Sequence, residues 1–136
     1  ADFTGEGWRL HLGFEDIPIL SLYEAGKRLA LLSQESELLL FDYWQTDVVG
    51  HRGTMGAAIS IVERLDTVIG GILAGWCDTD GLMVIISDHG NLEDKTTRRH
   101  TRNKVPVLLF GDCHNSVASN INDLSDIAPA LIAYLK

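Results

Sequence analysis

The sequence predicts an α/β fold with a mostly parallel sheet, helices on both of its faces and one strand antiparallel to its neighbour. Three short apolar runs, at 38–44, 82–87 and 105–110, have the composition of buried strands. Strands that are apolar on both faces are typical of parallel sheets covered by helices. Amphipathic segments lie between the first two runs and near either end of the chain, and such alternation favours this layered arrangement.

The first half of the chain contains two clear helical patterns. Residues 8–12 predict a short strand. Ser21 and Glu24 then have the spacing of a capping box, in which each side chain bonds the other residue's backbone amide. The helix that they begin continues to about residue 34. Residues 54–76 carry apolar side chains at helical spacing and predict the longest helix.

The second half contains the other two strands and a closing helix. The Thr-Asp-Gly sequence at 79–81 predicts a turn before the strand at 82–87. A last apolar stripe covers 124–135, and Asn122 or Asp123 is the expected N-cap of that helix. With 136 residues, the whole chain has the length of one ordinary domain.

Composition narrows the class of protein. The apolar fraction of 46% and the charged fraction of 22% are those of a folded globular chain. A net charge of −8 argues against nucleic acid as the partner; it suits carboxylates gathered around a cation and equally an acidic, well-solvated surface. No apolar run is long enough to predict a membrane span. The two cysteines, Cys77 and Cys113, lack CxxC spacing and favour a reducing, cytoplasmic compartment.

The first cluster of chemically capable residues follows the strand at 38–44. Asp47 and His51 are four positions apart, so one helical turn can aim both side chains at one point. A carboxylate oxygen and an imidazole nitrogen together suit zinc, manganese or iron better than calcium. Taken alone, the pair is more often a surface histidine near a loop aspartate.

The second cluster ends the strand at 82–87. Asp88 and His89 are adjacent, and neighbouring side chains at a strand end normally diverge. Both can face one ion only if the backbone turns there, which Gly90 permits. The alternative is an ordinary turn that terminates the strand.

The third cluster is the basic run at 98–104, which contains His100. The polar segment 90–104 lacks apolar periodicity and is not expected to form the crossover that a parallel return requires. The strand at 105–110 is therefore predicted to pair antiparallel with 82–87, which brings His100 near Asp88 and His89. The arginines could meet a substrate phosphate or form a solvated loop.

These segments together resemble the alkaline phosphatase superfamily of metalloenzymes, with the closest likeness to cofactor-independent phosphoglycerate mutases and phosphopentomutases. The likeness runs from about Leu38 to the C-terminus, and its segments occur in family order. The matching segments are DVVGHRG, AAISIVERLDTVIGGIL, SDHGN, HTRNKVPVLLFG and DLSDIAPALIAYL.

The resemblance implies a site for two divalent metal ions, manganese or zinc. Asp47, His51 and His100 would hold one ion, and Asp88 and His89 would contribute to the second. An aspartate and a Ser or Thr nucleophile complete the family's second site, and residues 1–20 offer no counterpart. Residues 1–136 are thus expected to be the C-terminal segment of such a domain.

The function implied is the metal-binding part of a divalent-metal-dependent phosphohydrolase or phosphomutase. Asn91, Glu93 and Arg102 are candidate substrate contacts or supports of the metal ligands. The expected partners are a phosphorylated small molecule, the missing N-terminal half of the domain and, through the open sheet edge, a second copy of the chain. The alternative is a non-catalytic interaction or regulatory module that retains the fold; an upstream strand with Asp and Ser or Thr would favour the enzyme.

Overall fold

A computed structural model describes residues 2–76, 81–111 and 113–136. The chain divides into two units, Ala1–Cys77 with Asn91–Arg99 and Asp78–Gly90 with His100–Lys136, called here the first and the second unit. The helices of the first unit are α1 (Glu6–Leu12), α2 (Leu22–Ser33), α3 (Gln45–Arg52) and α4 (Met55–Gly75). The second unit contains β1 (Met83–Ile86), β2 (Val107–Phe110), α5 (His114–Ala118), a 3-10 turn (Leu124–Asp126) and α6 (Ile127–Tyr134).

Packing of α2 against α4 forms the core of the first unit. The predicted capping box begins α2: the Ser21 hydroxyl accepts from the Glu24 amide at 3.2 Å, and the Glu24 carboxylate accepts from the Ser21 amide at 3.0 Å. The buried side chains on these two helices are small or medium-sized. They are Ala25, Ala30, Ala58, Ile61 and Val68. Small side chains allow the two backbones to approach closely.

Two glycines lie where the helices come nearest. A Cβ placed on Gly26 would lie 2.1 Å from the Val68 carbonyl oxygen, and one on Gly71 would lie 2.1 Å from the Tyr23 carbonyl oxygen. Both distances are far inside van der Waals contact, so only glycine fits at either position. The helix predicted over 54–76 is confirmed as α4, and its N-cap is Thr54, whose hydroxyl accepts from the Ala57 amide at 3.2 Å.

The second unit confirms the antiparallel return. β1 and β2 pair antiparallel, with Met83 opposite Phe110 and Ile86 opposite Val107. A further antiparallel bridge joins Gly90 to Thr101, whose amide donates to the Gly90 carbonyl at 2.8 Å. The antiparallel pairing therefore extends beyond the two strands to Gly90 and Thr101.

The closing helix is confirmed in shorter form. Asp123 is its N-terminal cap: the Asp123 carboxylate accepts from the Ser125 amide at 2.8 Å, and a 3-10 turn leads into α6. The backbone amides of Asn122 and Asp123 donate to the Asp126 carboxylate and hold the pKa of Asp126 below its usual value. The short helix α5 was not predicted, since five residues carry too little periodicity.

Two predicted strands are wrong. Residues 8–12 lie in α1, where the Asp2 carboxylate accepts from the Gly5 and Gly7 amides at 3.3 and 2.9 Å and so satisfies the free donors of a helix start. Residues 38–44 are not a strand, because the described residues offer their backbone no partner strand. Instead, the rings of Phe41 and Tyr43 pack on Phe3, with centroids 4.9 and 4.4 Å away.

The class is α/β, but the sheet differs from the expectation. In the ranges that the structure describes, the sheet is one antiparallel pair, so a mostly parallel sheet is not shown. Most of the turn predicted at 79–81 falls outside those ranges. Among the described helices, none combines the length and the apolar character that crossing a membrane requires.

Candidate metal centre

Helix α3 places Asp47 and His51 one turn apart. The Asp47 Oδ1 and His51 Nε2 atoms are 3.3 Å apart, and their side chains are 36% and 31% exposed. The structure thus brings together the pair predicted from its four-residue spacing. Partial exposure leaves the two atoms accessible to an ion from solvent.

The backbone of residue 98 orients the His51 ring. His51 Nδ1 lies 2.6 Å from the Arg98 carbonyl oxygen, and a carbonyl can only accept, so Nδ1 carries the proton. In the neutral ring, Nε2 then presents its lone pair toward the Asp47 carboxylate. A nitrogen and an oxygen lone pair that converge at 3.3 Å can together bind one metal ion. This donor set of one nitrogen and one oxygen fits zinc or manganese.

Asn91 contacts Asp47 at two points. Its Nδ2 donates to Asp47 Oδ1 at 2.8 Å and to the Asp47 carbonyl at 3.3 Å. The Asn91 side chain is buried, with 4% of the residue exposed, and it lies directly against Gly50. The buried Asn91 amide thus contacts the Asp47 carboxylate directly, and its role as a support or as a substrate contact stays a prediction.

The rest of the loop after Asn91 also contacts α3. The Glu93 carboxylate accepts from the Asn91 amide at 2.6 Å. Lys95 Nζ donates to the carbonyls of Val49 and Gly50 at 2.7 and 2.6 Å, which satisfies acceptors in the last turn of the helix. Sequence reasoning missed Lys95, because a lysine in a polar loop carries no signal for a partner 45 residues away.

The second unit brings together two further histidines of the predicted site, His89 and His100. The rings of His89 and His100 stack with centroids 3.5 Å apart and an angle of 14° between their planes. The antiparallel bridge between Gly90 and Thr101 joins the two residues that directly follow these histidines, so it holds their backbones close together. The proximity of His100 to His89, inferred from the antiparallel return, is confirmed.

Asp88 also lies beside His89. Its Oδ2 is 3.5 Å from His89 Nε2, and its side chain is 86% exposed. The chain bends at these two residues, and the Ser87 hydroxyl donates to the His89 carbonyl at 2.8 Å. The bend allows adjacent side chains to face the same way, which a straight strand would prevent.

Each unit thus contains some of the predicted ligands. The first unit holds Asp47 and His51, and the second holds Asp88, His89 and His100. The division of these five residues between two metal ions stays a prediction, as does the role of Arg102, which is exposed.

Comparison with known proteins agrees with the resemblance read from the motifs. The family model described as Metalloenzyme superfamily matches residues 23–136. The chain is 35% identical over 127 residues to a 2,3-bisphosphoglycerate-independent phosphoglycerate mutase of Methylobacillus flagellatus. It is 37% identical over 128 residues to one of Rhodopseudomonas palustris and 33% identical over 129 residues to one of Clostridioides difficile.

These matches cover most of the chain and a minor part of each relative. They span 87%, 88% and 88% of this chain but only 25% of each of the three curated relatives. No solved structure gives a significant match.

Proposed function

The chain belongs to the Metalloenzyme superfamily, and from this premise we propose that it is the C-terminal, metal-binding part of a divalent-metal-dependent phosphomutase or phosphohydrolase. One observation carries the proposal: Asp47 Oδ1 and His51 Nε2 face each other at 3.3 Å, with the ring oriented by the Arg98 carbonyl. Bound divalent ions would supply Lewis-acid stabilisation of a phosphoryl group and would lower the pKa of a hydroxyl nucleophile.

The ligand assignment follows the motifs. Asp47, His51 and His100 would hold one ion, and Asp88 and His89 would contribute to a second, with manganese or zinc as the metal. Support comes from the pairing of Asp47 with His51 in the first unit and from the stacking of His89 on His100 in the second. The Ser or Thr nucleophile and a further aspartate would come from a part of the enzyme outside these 136 residues.

The substrate would be a phosphorylated small molecule. The relatives are named as phosphoglycerate mutases, which favours transfer of a phosphoryl group within one molecule over its release to water. The exposed Arg102 is the best candidate in the chain for contact with a phosphate oxygen, since Asn91 and Glu93 are engaged with the loop and with α3. We place the enzyme in the cytoplasm, as its cysteine usage favours.

A second function, a non-catalytic module that retains the metal site, stays open. It predicts that the protein works without an upstream nucleophile. The enzyme requires a strand followed by an aspartate and a Ser or Thr upstream. Reading the parent gene discriminates between the two.

Metal binding is the direct test. Replacing His51 with alanine should weaken Mn²⁺ or Zn²⁺ binding by at least about 100-fold. Loss of a residue that only orients a metal ligand typically weakens binding by about 10–100-fold, and removal of the ligand itself should weaken it more. Isothermal titration of the metal-free chain measures this affinity. His11→Ala, at an exposed histidine of α1, is the matched control and should leave the affinity unchanged. Equal affinities for the two variants would contradict the site.

Exposed apolar side chains support the proposed partners, namely the rest of the domain and, in its absence, a second copy. Leu38, Leu40 and Trp44 are 62%, 86% and 67% exposed. Ile59 and Val62, one turn apart on α4, are 54% and 51% exposed. Apolar surface of this kind usually marks an interface.

The isolated chain should therefore self-associate as its concentration rises. Sedimentation velocity at several concentrations should show a mass shift toward a dimer. Leu40→Glu should move the shift to concentrations at least about tenfold higher, since a buried charge without a partner opposes association. Leu135→Glu, at an exposed leucine after α6, is the control. A monomer at all concentrations would refute the homodimer.

A further inference from the structure

The buried side-chain amide of Asn91 bonds Asp47 at two points. Asn91 is 4% exposed, yet its Nδ2 donates to two acceptors of one residue, the carboxylate and the backbone carbonyl of Asp47. Both acceptors can only accept, so the amide must present its NH₂ group to them. Because one amide group bonds both the backbone and the side chain of Asp47, these two hydrogen bonds restrict the side-chain rotation of Asp47.

Gly50 makes room for this amide. A Cβ on Gly50 would lie 2.5 Å from Cγ, 2.5 Å from Nδ2 and 2.6 Å from Oδ1 of Asn91. Glycine is less favourable than alanine within a helix, yet alanine here would displace the group that holds Asp47. The glycine of the Asp-x-x-Gly-His segment and the asparagine of the Asp-His-Gly-Asn segment thus form one structural contact.

The contact includes an unsatisfied atom. With Nδ2 directed at Asp47, Oδ1 of Asn91 is buried and has no hydrogen-bond partner among the described residues. A buried acceptor without a partner is destabilising. An apolar side chain would avoid that cost but could not donate to a carboxylate, so stability alone does not favour asparagine at this position.

We propose that Asn91 is the positioning residue for the metal ligand Asp47, and that residue 50 must be glycine to admit it. This inference rests on the proposed metal site. Asn91 fixes the carboxylate at its 3.3 Å separation from His51 Nε2 before an ion arrives. Binding then requires no reorientation of Asp47, which raises the affinity for the ion.

The test compares Asn91→Ala with the wild type in three measurements: Mn²⁺ affinity by titration calorimetry, the visible absorption spectrum with Co²⁺ in place of Mn²⁺, and thermal unfolding of the metal-free chain. Loss of an outer partner of a metal ligand typically costs 10–100-fold in affinity. We expect a loss of about that size together with a changed Co²⁺ spectrum. Asn115→Ala, at an exposed asparagine of α5, should change neither.

The double variant gives the sharper result. Gly50→Ala alone should reduce the affinity as Asn91→Ala does. In the Asn91→Ala background it should cause little further loss, because the added Cβ then meets no amide; such non-additivity is expected of residues in contact. If Asn91→Ala does not fold, Asn91→Ser replaces it, since its hydroxyl is too short to reach the carboxylate.

Each other outcome overturns something specific. If Asn91→Ala keeps the wild-type affinity and spectrum while His51→Ala loses the ion, the positioning role is wrong and the metal site stands. If Asn91→Ala lowers only the unfolding temperature, its role is purely structural. If the wild type binds no ion, the proposed function fails and this inference fails with it.

Discussion

Alanine in place of Gly71 should destabilise the protein by about 3 kcal/mol or more, the upper end for overpacking of a closely packed site. The reason is the 2.1 Å separation that its Cβ would have from the Tyr23 carbonyl oxygen. That obstacle is backbone, so it cannot rotate away as a side chain would. The α2 and α4 helices would have to separate, which would loosen the burial of Ala25 and Val68. Chemical unfolding followed by circular dichroism measures the change.

The neighbouring glycine provides a matched control. Apart from its own helix, no described atom lies within 4 Å of a Cβ placed on Gly70. Gly70→Ala should therefore stabilise α4 by up to about 1 kcal/mol through helix propensity alone. The two substitutions are chemically identical and adjacent, yet their effects should have opposite signs. Equal unfolding midpoints for the two variants would show that the helices do not approach as closely as described.

The isolated chain should show no phosphoryl-transfer turnover above the metal-only background, with either Mn²⁺ or Zn²⁺. Enzymes accelerate such reactions by about 10⁶-fold or more. Under the proposed function this chain contributes metal ligands but no nucleophile, so it should not reach such a rate alone. The measurements are hydrolysis of a generic phosphate ester and interconversion of phosphoglycerates. Co-expression with the upstream part of the parent protein should restore turnover, and His51→Ala should abolish it again. Robust hydrolysis by the pure chain, lost in His51→Ala, would show that the chain is complete as a catalyst.

Local signals account for what the sequence predicted correctly. The capping box at Ser21 and the apolar stripe of 54–76 depend on residues three to four positions apart, and both helices form. The pairing of Asp47 with His51 has the same origin. The antiparallel return was predictable for a different reason: the polar segment 90–104 cannot supply the crossover helix that a parallel strand needs.

The failures concern partners that are distant in the chain. An apolar run such as 38–44 becomes a strand only if another strand accepts its backbone hydrogen bonds, and composition does not reveal whether one is there. The alternation of Trp8, Leu10 and Leu12 over five residues does not distinguish a strand from a short helix. The contacts of Asn91 and Lys95 with α3 join residues 44 to 46 positions apart, and no local pattern predicts them.

The first unit is discontinuous in sequence, and this affects the order in which its parts can fold during synthesis. Its segment Asn91–Arg99 is made after residues of the second unit. Helices α2 and α4 can pack once residue 75 has left the ribosome, but His51 meets its carbonyl partner only when Arg98, 47 residues after it, is available. At about 5–20 residues per second, synthesis from residue 75 to residue 98 takes on the order of 1–5 s. For that interval the nascent chain has a formed helical pair, but the Arg98 carbonyl that orients His51 has not yet been made, so the proposed metal site can be completed only after the loop has emerged.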